Sequence, residues 1–437
     1  MTAFDATEVR RPGAAASSAE GSAARGPGGC GDRRAARRLV VALSLSAFAE
    51  WGGASAILPL LPVYLRRHGS SVPLVGLTMG AFFLAAVAVQ YPLGRLSDRI
   101  GRRTIQVAGL VTYAVATVLF FFFSAPLATL AFRAVQGVGT GVVDVANAAT
   151  IGEVVPRRAQ GRAFGALYGM QTVGMAIGPL LGGLAGLGGM RWLFLGAAGA
   201  VLAAAAPIAA FVPGGRRAEA TPDQPRLPLW RNRSVLGVVV AFVAVGIITG
   251  MYEVCWSLLL VLRGATPWEI GLSWTLFALP FAVVSLPAGW LVDRLDRRHL
   301  VVVALAGTGG FAAAYPFVHS VAWLIGLGGA EAVITAAGWP AQSAQLAHSV
   351  PSRDIGRAQG AAATAQTAAI AVAATVSGAL FGVAPGLPFL LSSGAVALGL
   401  GVLTVIWRGV PGRGPAMTAG QVTSRSTTGT PGSWRTD

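Results

Sequence analysis

Between residues 39 and 408 the chain alternates long, nearly uncharged apolar runs with short polar bursts, giving twelve runs. The runs cover 39–65, 73–94, 104–123, 126–151, 163–187, 192–212, 235–262, 268–289, 299–318, 321–345, 358–382 and 386–408. Each is about 20 residues or longer, the length of helix that crosses a hydrocarbon core of ~30 Å. Hydrocarbon offers the backbone no hydrogen-bond partner, so every run is predicted to be a helix. Transmembrane strands would show alternating segments of ~10 residues, whereas these runs are continuous.

Two of the polar bursts are alike. YPLGRLSDRIGRRT, residues 91–104, and SLPAGWLVDRLDRRHL, residues 285–300, share Pro, Gly, Leu, Asp and three Arg when Pro92 is placed on Pro287, an offset of 195. The same offset lays VPRRAQGRAFGA (155–166) over VPSRDIGRAQGA (350–361), Gly76-Leu77 over Gly271-Leu272, Phe82 over Phe277, and Gln171-Thr172 over Gln366-Thr367. One register through spans two to five and eight to eleven describes two six-helix halves arranged as a parallel repeat, with a site expected between them near the midplane. The halves are read as 39–212 and 235–409, joined by a polar linker at 213–234. Residues 1–38 and 410–437 are read as disordered tails; the first lacks the apolar core of a cleavable signal peptide.

Composition agrees with this picture: 54% hydrophobic, 11% charged, mean hydropathy +0.64, too little charge to cover a soluble domain of 437 residues. There is no lysine. With a cytoplasmic amino terminus, 28 arginines fall in tails and loops on that side and four (Arg66, Arg67, Arg191, Arg263) on the other, while Arg133 lies within a span. That asymmetry orients the chain with both termini cytoplasmic in a cell membrane, and it accounts for the net charge of +16 without a nucleic-acid partner. Cys30 and Cys255 are far apart and the four histidines lack ligand spacing, so neither a disulfide nor a metal site is expected, nor any cofactor.

The corner Gly94-Arg-Leu-Ser-Asp98-Arg99-Ile-Gly101-Arg102-Arg103 resembles the loop signature of the major facilitator superfamily, between its second and third helices. The resemblance covers all twelve spans and implies an all-α membrane fold of two six-helix bundles. It implies that this corner latches the halves on the cytoplasmic side when a carrier faces outward, with Glu153 as the acidic partner of its arginines. The second copy supplies Gly289, Asp293 and Arg294, with Asp296 where the first has Gly101. Leu130-Ala-Phe-Arg133-Ala-Val-Gln136-Gly137-Val-Gly139 resembles the family's span-four motif, whose arginine sits inside the membrane. Gly174-Met-Ala-Ile-Gly178-Pro179-Leu-Leu-Gly182-Gly183 resembles the span-five motif of the family's antiporters. Its glycines at every fourth position make a flat stripe for close helix contact, and Pro179 favours a bend.

Four carboxylates lie well inside spans: Glu50, Asp144, Glu253 and Glu331. Each is costly against lipid, and desolvation brings a carboxyl group towards proton exchange near neutral pH, so these four are the proton-coupling candidates. Glu50 ranks first, because the resemblance extends to drug/proton antiporters that use a carboxylate in span one. Glu253 ranks second, with Tyr252 and Trp256 beside it to pack on a cationic or planar ligand. Neither has an acidic mate at the offset of 195, where Val245 and Leu58 stand. Arg133, Gln136, Asn147, Gln171, Gln366, Trp274 and Trp339 complete the candidate substrate cavity, although amides in spans also serve as interhelical glue.

No GxxxxGK[ST] loop is present, and neither are GxSxG, HExxH or CxxC. Transport is therefore expected to run on an ion gradient rather than ATP, and no enzymatic activity is expected. The reading is a proton-coupled exporter of small amphipathic or cationic compounds, a monomer working by alternating access. The alternative is a carrier, in either direction, of a defined metabolite such as a sugar or siderophore-like molecule. A receptor would need a folded signalling domain that neither tail resembles.

Overall fold

The computed structural model describes residues 30–155, 157–212, 229–351 and 354–408, so most of both tails and residues 213–228 of the linker lie outside it. Every crossing is helical. The helices are α1 (Cys30–Ile57), α2 (Leu61–Arg67), α3 (Val72–Ile100), α4 (Arg102–Phe122), α5 (Pro126–Val154), α6 (Arg157–Ala185), α7 (Met190–Phe211), α8 (Arg233–Leu262), α9 (Pro267–Arg294), α10 (Arg297–Ala314), α11 (Val321–Thr335), α12 (Gly338–Ser349), α13 (Ile355–Val383) and α14 (Leu387–Ile406). Ten helical stretches are long and apolar enough to cross a membrane, and α5 and α9 complete the twelve.

Two crossings are broken. The first splits at Leu58–Leu60, where Pro59 cannot continue the backbone ladder, into α1 and α2. The tenth splits at Ala336–Ala337, because Pro340 has no N–H for the carbonyl of Ala336 and Gly338 adds freedom. α1 also starts at Cys30, inside the stretch read as tail: alanine and arginine are good helix formers, and a helix need not stop where the hydrocarbon does.

The charged corner is likewise more helical than its polarity suggests. α3 runs through it to Ile100, and the chain turns on one residue, Gly101, at φ +98°. A side chain at that φ is strained, which is why the corner ends on glycine. The second copy turns by other means. Asp296 keeps an ordinary φ of −68° and caps α10, its carboxylate accepting from Arg298 N at 2.9 Å. Arg102 donates to Ser97 Oγ at 3.1 Å. The side-chain surroundings of Gly94, Asp98, Arg99, Glu153, Gly289 and Asp293 lie outside the described residues.

Each half packs by the same scheme. In the first, α6 lies on α1, α5 on α3 and α4, and α7 on α1 and α4. In the second, α13 lies on α8, α11 on α9 and α10, and α14 on α8 and α10. The main contacts between the bundles, α3 with α13 and α6 with α9, exchange when one bundle is mapped onto the other. Both sit at the helix ends remote from the termini and reach inwards to Thr275, which donates to Ala176 O at 2.8 Å. The approach is close: a Cβ on Gly76 would stand 2.7 Å from Gly378 N, and one on Gly271 2.9 Å from the Cα of Gly183. α8 is apolar on nearly every face, Glu253 apart, and is buried mainly against α13 and α14 of its own bundle.

The corner geometry predicts an asymmetric outcome for two alanine variants. Gly101→Ala should lower the stability of the detergent-solubilised protein by ~1–2 kcal/mol, because alanine resists that φ. Gly152→Ala, in α5 with open space around its Cα, should leave stability unchanged or raise it by up to ~1 kcal/mol. Thermal unfolding of the two variants against wild type decides the point.

Candidate functional site

Polar groups form a line through the membrane interior from one bundle to the other. Glu50 on α1 is buried, with Oε1 lacking a hydrogen-bond partner. Asp144 on α5 stands close enough for the two charges to interact. Asp144 is itself exposed and lies near Tyr168 of α6, whose ring meets Trp339 of the other bundle edge-on at 6.2 Å. Asp144 therefore faces the cleft between the bundles. Tyr113 on α4 lies within electrostatic reach of both Glu50 and Arg133, and Arg133 within reach of Glu253 on α8.

Arg133 is buried, donates from Nη1 to Gln136 Oε1 at 3.0 Å, and lies 4.4 Å from the centroid of Phe82. Its Nε and Nη2 have no partner, and neither does Glu253 Oε2. Arg133 and Glu253, from opposite bundles, thus lie within electrostatic reach of each other without a direct bond between them among the described residues. Arg133 and Asp144, three turns apart on one helix, serve different neighbours.

A cavity of about 150 Å³ lies within the second bundle rather than at the boundary where the repeat led us to expect a site. Residues of α8, α9, α10, α11 and α12 line it, among them Tyr252, Glu253, Trp256, Trp274, Glu331 and Trp339. Glu331 is 1% exposed and accepts a short hydrogen bond from Tyr315 Oη, and longer ones from Tyr252 Oη at 3.4 and 3.5 Å. Trp256 Nε1 donates to Ser273 Oγ at 3.0 Å and Trp274 Nε1 to Ser257 Oγ at 3.2 Å, so both indoles are fixed. The break at Ala336–Ala337 separates Glu331 from Trp339 and lets both segments of the tenth crossing reach the same space.

Other predicted residues sit elsewhere. Gln136 and Asn147 are buried between α4 and α5, where Gln136 Nε2 donates to Thr117 Oγ1 at 2.8 Å and Gln106 Nε2 to Asn147 Oδ1 at 2.9 Å. Gln171 and Gln366 are half-buried on α6 and α13. Sequence reasoning passed over Tyr113 and Tyr315. Their signal was available: a tyrosine inside an apolar span needs a partner for its hydroxyl.

The sequence profile of the Major Facilitator Superfamily matches residues 43–262 and 245–431. The chain belongs to the major facilitator superfamily. It is a membrane transporter of that family, not an enzyme. Over 145 residues it is 31% identical to an uncharacterized MFS-type transporter of Methanocaldococcus jannaschii, covering 33% of this chain and 38% of that one. It is 32% identical over 148 residues to the staphyloferrin B transporter of Staphylococcus aureus, covering 32% and 35%. It is 26% identical over 146 residues to the quinolone resistance protein NorA of the same species, covering 33% and 38%. The chain thus aligns with little more than a third of the length of these curated relatives. A bacterial homologue of the human lysosomal transporter Spinster, described as inward-facing and occupied, shares the fold at a TM-score of 0.70 and 14% identity, over 84% of this chain and 96% of that one.

Within this superfamily member, the span-five glycines are packing surfaces on two sides. Gly174, Gly178 and Gly182 lie against Phe48, Gly52, Ser55 and Ala56 of α1, and Ser55 Oγ donates to Gly174 O at 3.2 Å. Pro179 and Gly183 face the other way, onto Gly271 of α9. α6 therefore ties Glu50's helix to the opposite bundle. Arg103 and Arg294 are exposed at the two corners.

The hydrogen bonds to Glu331 are unequal, which gives a prediction. Tyr315→Phe should destabilise the protein by ~1–2 kcal/mol, since it removes a buried donor to a carboxyl group. Tyr252→Phe should cost less than half as much, because its contacts are at the limit of hydrogen-bond distance. Parallel thermal unfolding of both variants measures the difference.

Proposed function

We propose that this transporter is a proton-coupled exporter of small amphipathic or cationic compounds, in a cell membrane with both termini in the cytoplasm. The observation that carries the reading is Glu50. A buried carboxyl oxygen without a partner, beside a second carboxylate, is a costly arrangement for two fixed anions and a natural one for groups that gain and lose a proton. Asp144 faces the cleft and can pass protons between Glu50 and water. Arg133, with two free nitrogens, is the cation to which a newly ionised carboxylate can turn.

Bundles that meet at the ends remote from the termini leave the cleft facing the terminal side, which is inward under the arginine asymmetry. Rocking about the α3–α13 and α6–α9 contacts would expose the line of carboxylates to the other side. The relative named for quinolone resistance supports the drug reading. The relative named as a staphyloferrin B transporter supports the second one, carriage of a defined metabolite in either direction.

Proton flux in proteoliposomes under an imposed pH gradient tests the proposal. Adding lipophilic cations should trigger proton movement, and Glu50→Gln should reduce it at least tenfold while substrate-free leakage stays unchanged. Substrate movement without proton flux discards the coupling. An unaffected Glu50→Gln variant moves the proton to another carboxylate.

A further inference from the structure

The two bundles differ most where the repeat is otherwise most faithful. At the offset of 195, Phe82 of α3 matches Phe277 of α9, Gln136 matches Glu331, and Arg133 matches Gly328. In the first bundle the guanidinium of Arg133 stands over the Phe82 ring and bonds to Gln136. In the second, Phe277, Gly328 and Glu331 line the cavity, and the Trp256 indole lies against Gly328, 3.4 Å from where a Cβ would stand. The second bundle thus carries no cation at the arginine's register, and a carboxylate stands at the register of its amide neighbour.

We propose that the cavity of the second bundle binds the head group of a small organic ammonium ion, which takes the position of the missing guanidinium against Phe277, Trp256 and Tyr315, with Glu331 as its counter-ion. The inference deepens the export reading, because it says which part of a cationic compound is held and where.

Size, wall chemistry and charge agree. An apolar cavity of about 150 Å³ accommodates a molecule of benzene's size, and a trimethylammonium group is of that order. The wall is aromatic on several sides, with Tyr315 set at 4.8 Å from Trp256 and 6.0 Å from Tyr252 between ring centroids. Such faces attract cations through their quadrupoles, most strongly when water is excluded. The partners of Glu331 among the described residues are hydroxyls, which orient a carboxylate without neutralising it. When Glu331 ionises, no cation among the described residues balances it, and a bound ammonium ion supplies one. Access is from the cleft, where Trp339 lines the cavity, is half exposed, and meets Tyr168 of the first bundle.

The test uses choline and the neutral dimethylbutanol in which carbon replaces its nitrogen, titrated calorimetrically into the purified full chain in detergent without any gradient. Choline should bind at least about tenfold more tightly than its isostere. Glu331→Gln should bring choline down to the isostere's level. Gly328→Arg, which restores the resident cation, should abolish choline binding, and Val245→Phe, which fills the cavity from α8, should abolish both. Thermal unfolding and elution profile establish that each variant is folded, and the four titrations do not all depend on one of them. Equal binding of the two probes, no choline binding at millimolar concentration, or choline binding that survives both Gly328→Arg and Val245→Phe overturns the inference. Choline binding that follows this pattern without proton-coupled flux sinks the export reading and leaves the site standing. Coupled flux of lipophilic cations that Glu331→Gln does not alter sinks the site and leaves the export reading.

Discussion

In hydrocarbon, helices gain little from hiding apolar side chains, since lipid is as apolar as leucine; they associate where their backbones come close. That constraint organises this molecule. α6 lies on α1 through Gly174, Gly178 and Gly182, α13 lies on α3 at Gly378 and Gly76, and α6 meets α9 at Gly183 and Gly271. Each approach is too near for a Cβ without displacement of backbone. The interior volume left over is set by these crossings, and so is the spacing that keeps Glu253 near Arg133 without letting them bond.

The same contacts impose pseudo-symmetry, and the buried charges lie where it is broken. A perfectly repeated pair of bundles would carry its charges in matched places. Here Glu50 and Glu253 have apolar mates, Asp144 is matched with Trp339, and Arg133 with Gly328. The structural consequence is a first bundle that holds Arg133, Gln136 and the Gln106–Asn147 pair, and a second that holds the cavity. α5 is continuous, while its mate is broken into α11 and α12 by Pro340 and Gly338, and that break brings Glu331 and Trp339 to one cavity. Symmetry supplies the rocking frame, and departures from it supply the chemistry.

Much of the fold was legible because the physics of a bilayer is simple to read. Apolar runs of the right length had to be helices, and the offset of 195 gave the repeat; α3 and α9, α4 and α10, and α5 and α11 begin at that spacing. The buried carboxylates were also visible, since charge inside an apolar run stands out. Tertiary details were not. Sequence alone marked Gln136 and Asn147 as polar and interior, but an amide bound between α4 and α5 reads the same as one facing a cavity. Tyr315 was legible as an interior tyrosine whose hydroxyl needs a partner, but that the partner is Glu331 was not. The cavity was hidden because it is lined from five helices, and hydropathy along one span does not show how side chains of several helices meet.

The placement of the polar line limits how the two bundles can move. Glu50 rides on α1, which α6 grips through its glycines, and α6 is also the helix that touches α9. A rotation about the α6–α9 contact therefore carries Glu50 and Asp144 with the first bundle while Glu253 and Glu331 stay with the second. Arg133 moves with the first, so its distance to Glu253 must change during any such rotation, whereas its bond to Gln136 need not. An unpaired arginine and an unpaired glutamate across a moving boundary are a reason for the two end states to differ in energy. Protonating Glu253 removes that difference, because a neutral carboxyl group has no charge for Arg133 to lose or gain. On the proposed proton-coupled reading, the boundary pair would bias the motion by protonation, acting through distance rather than through a bond.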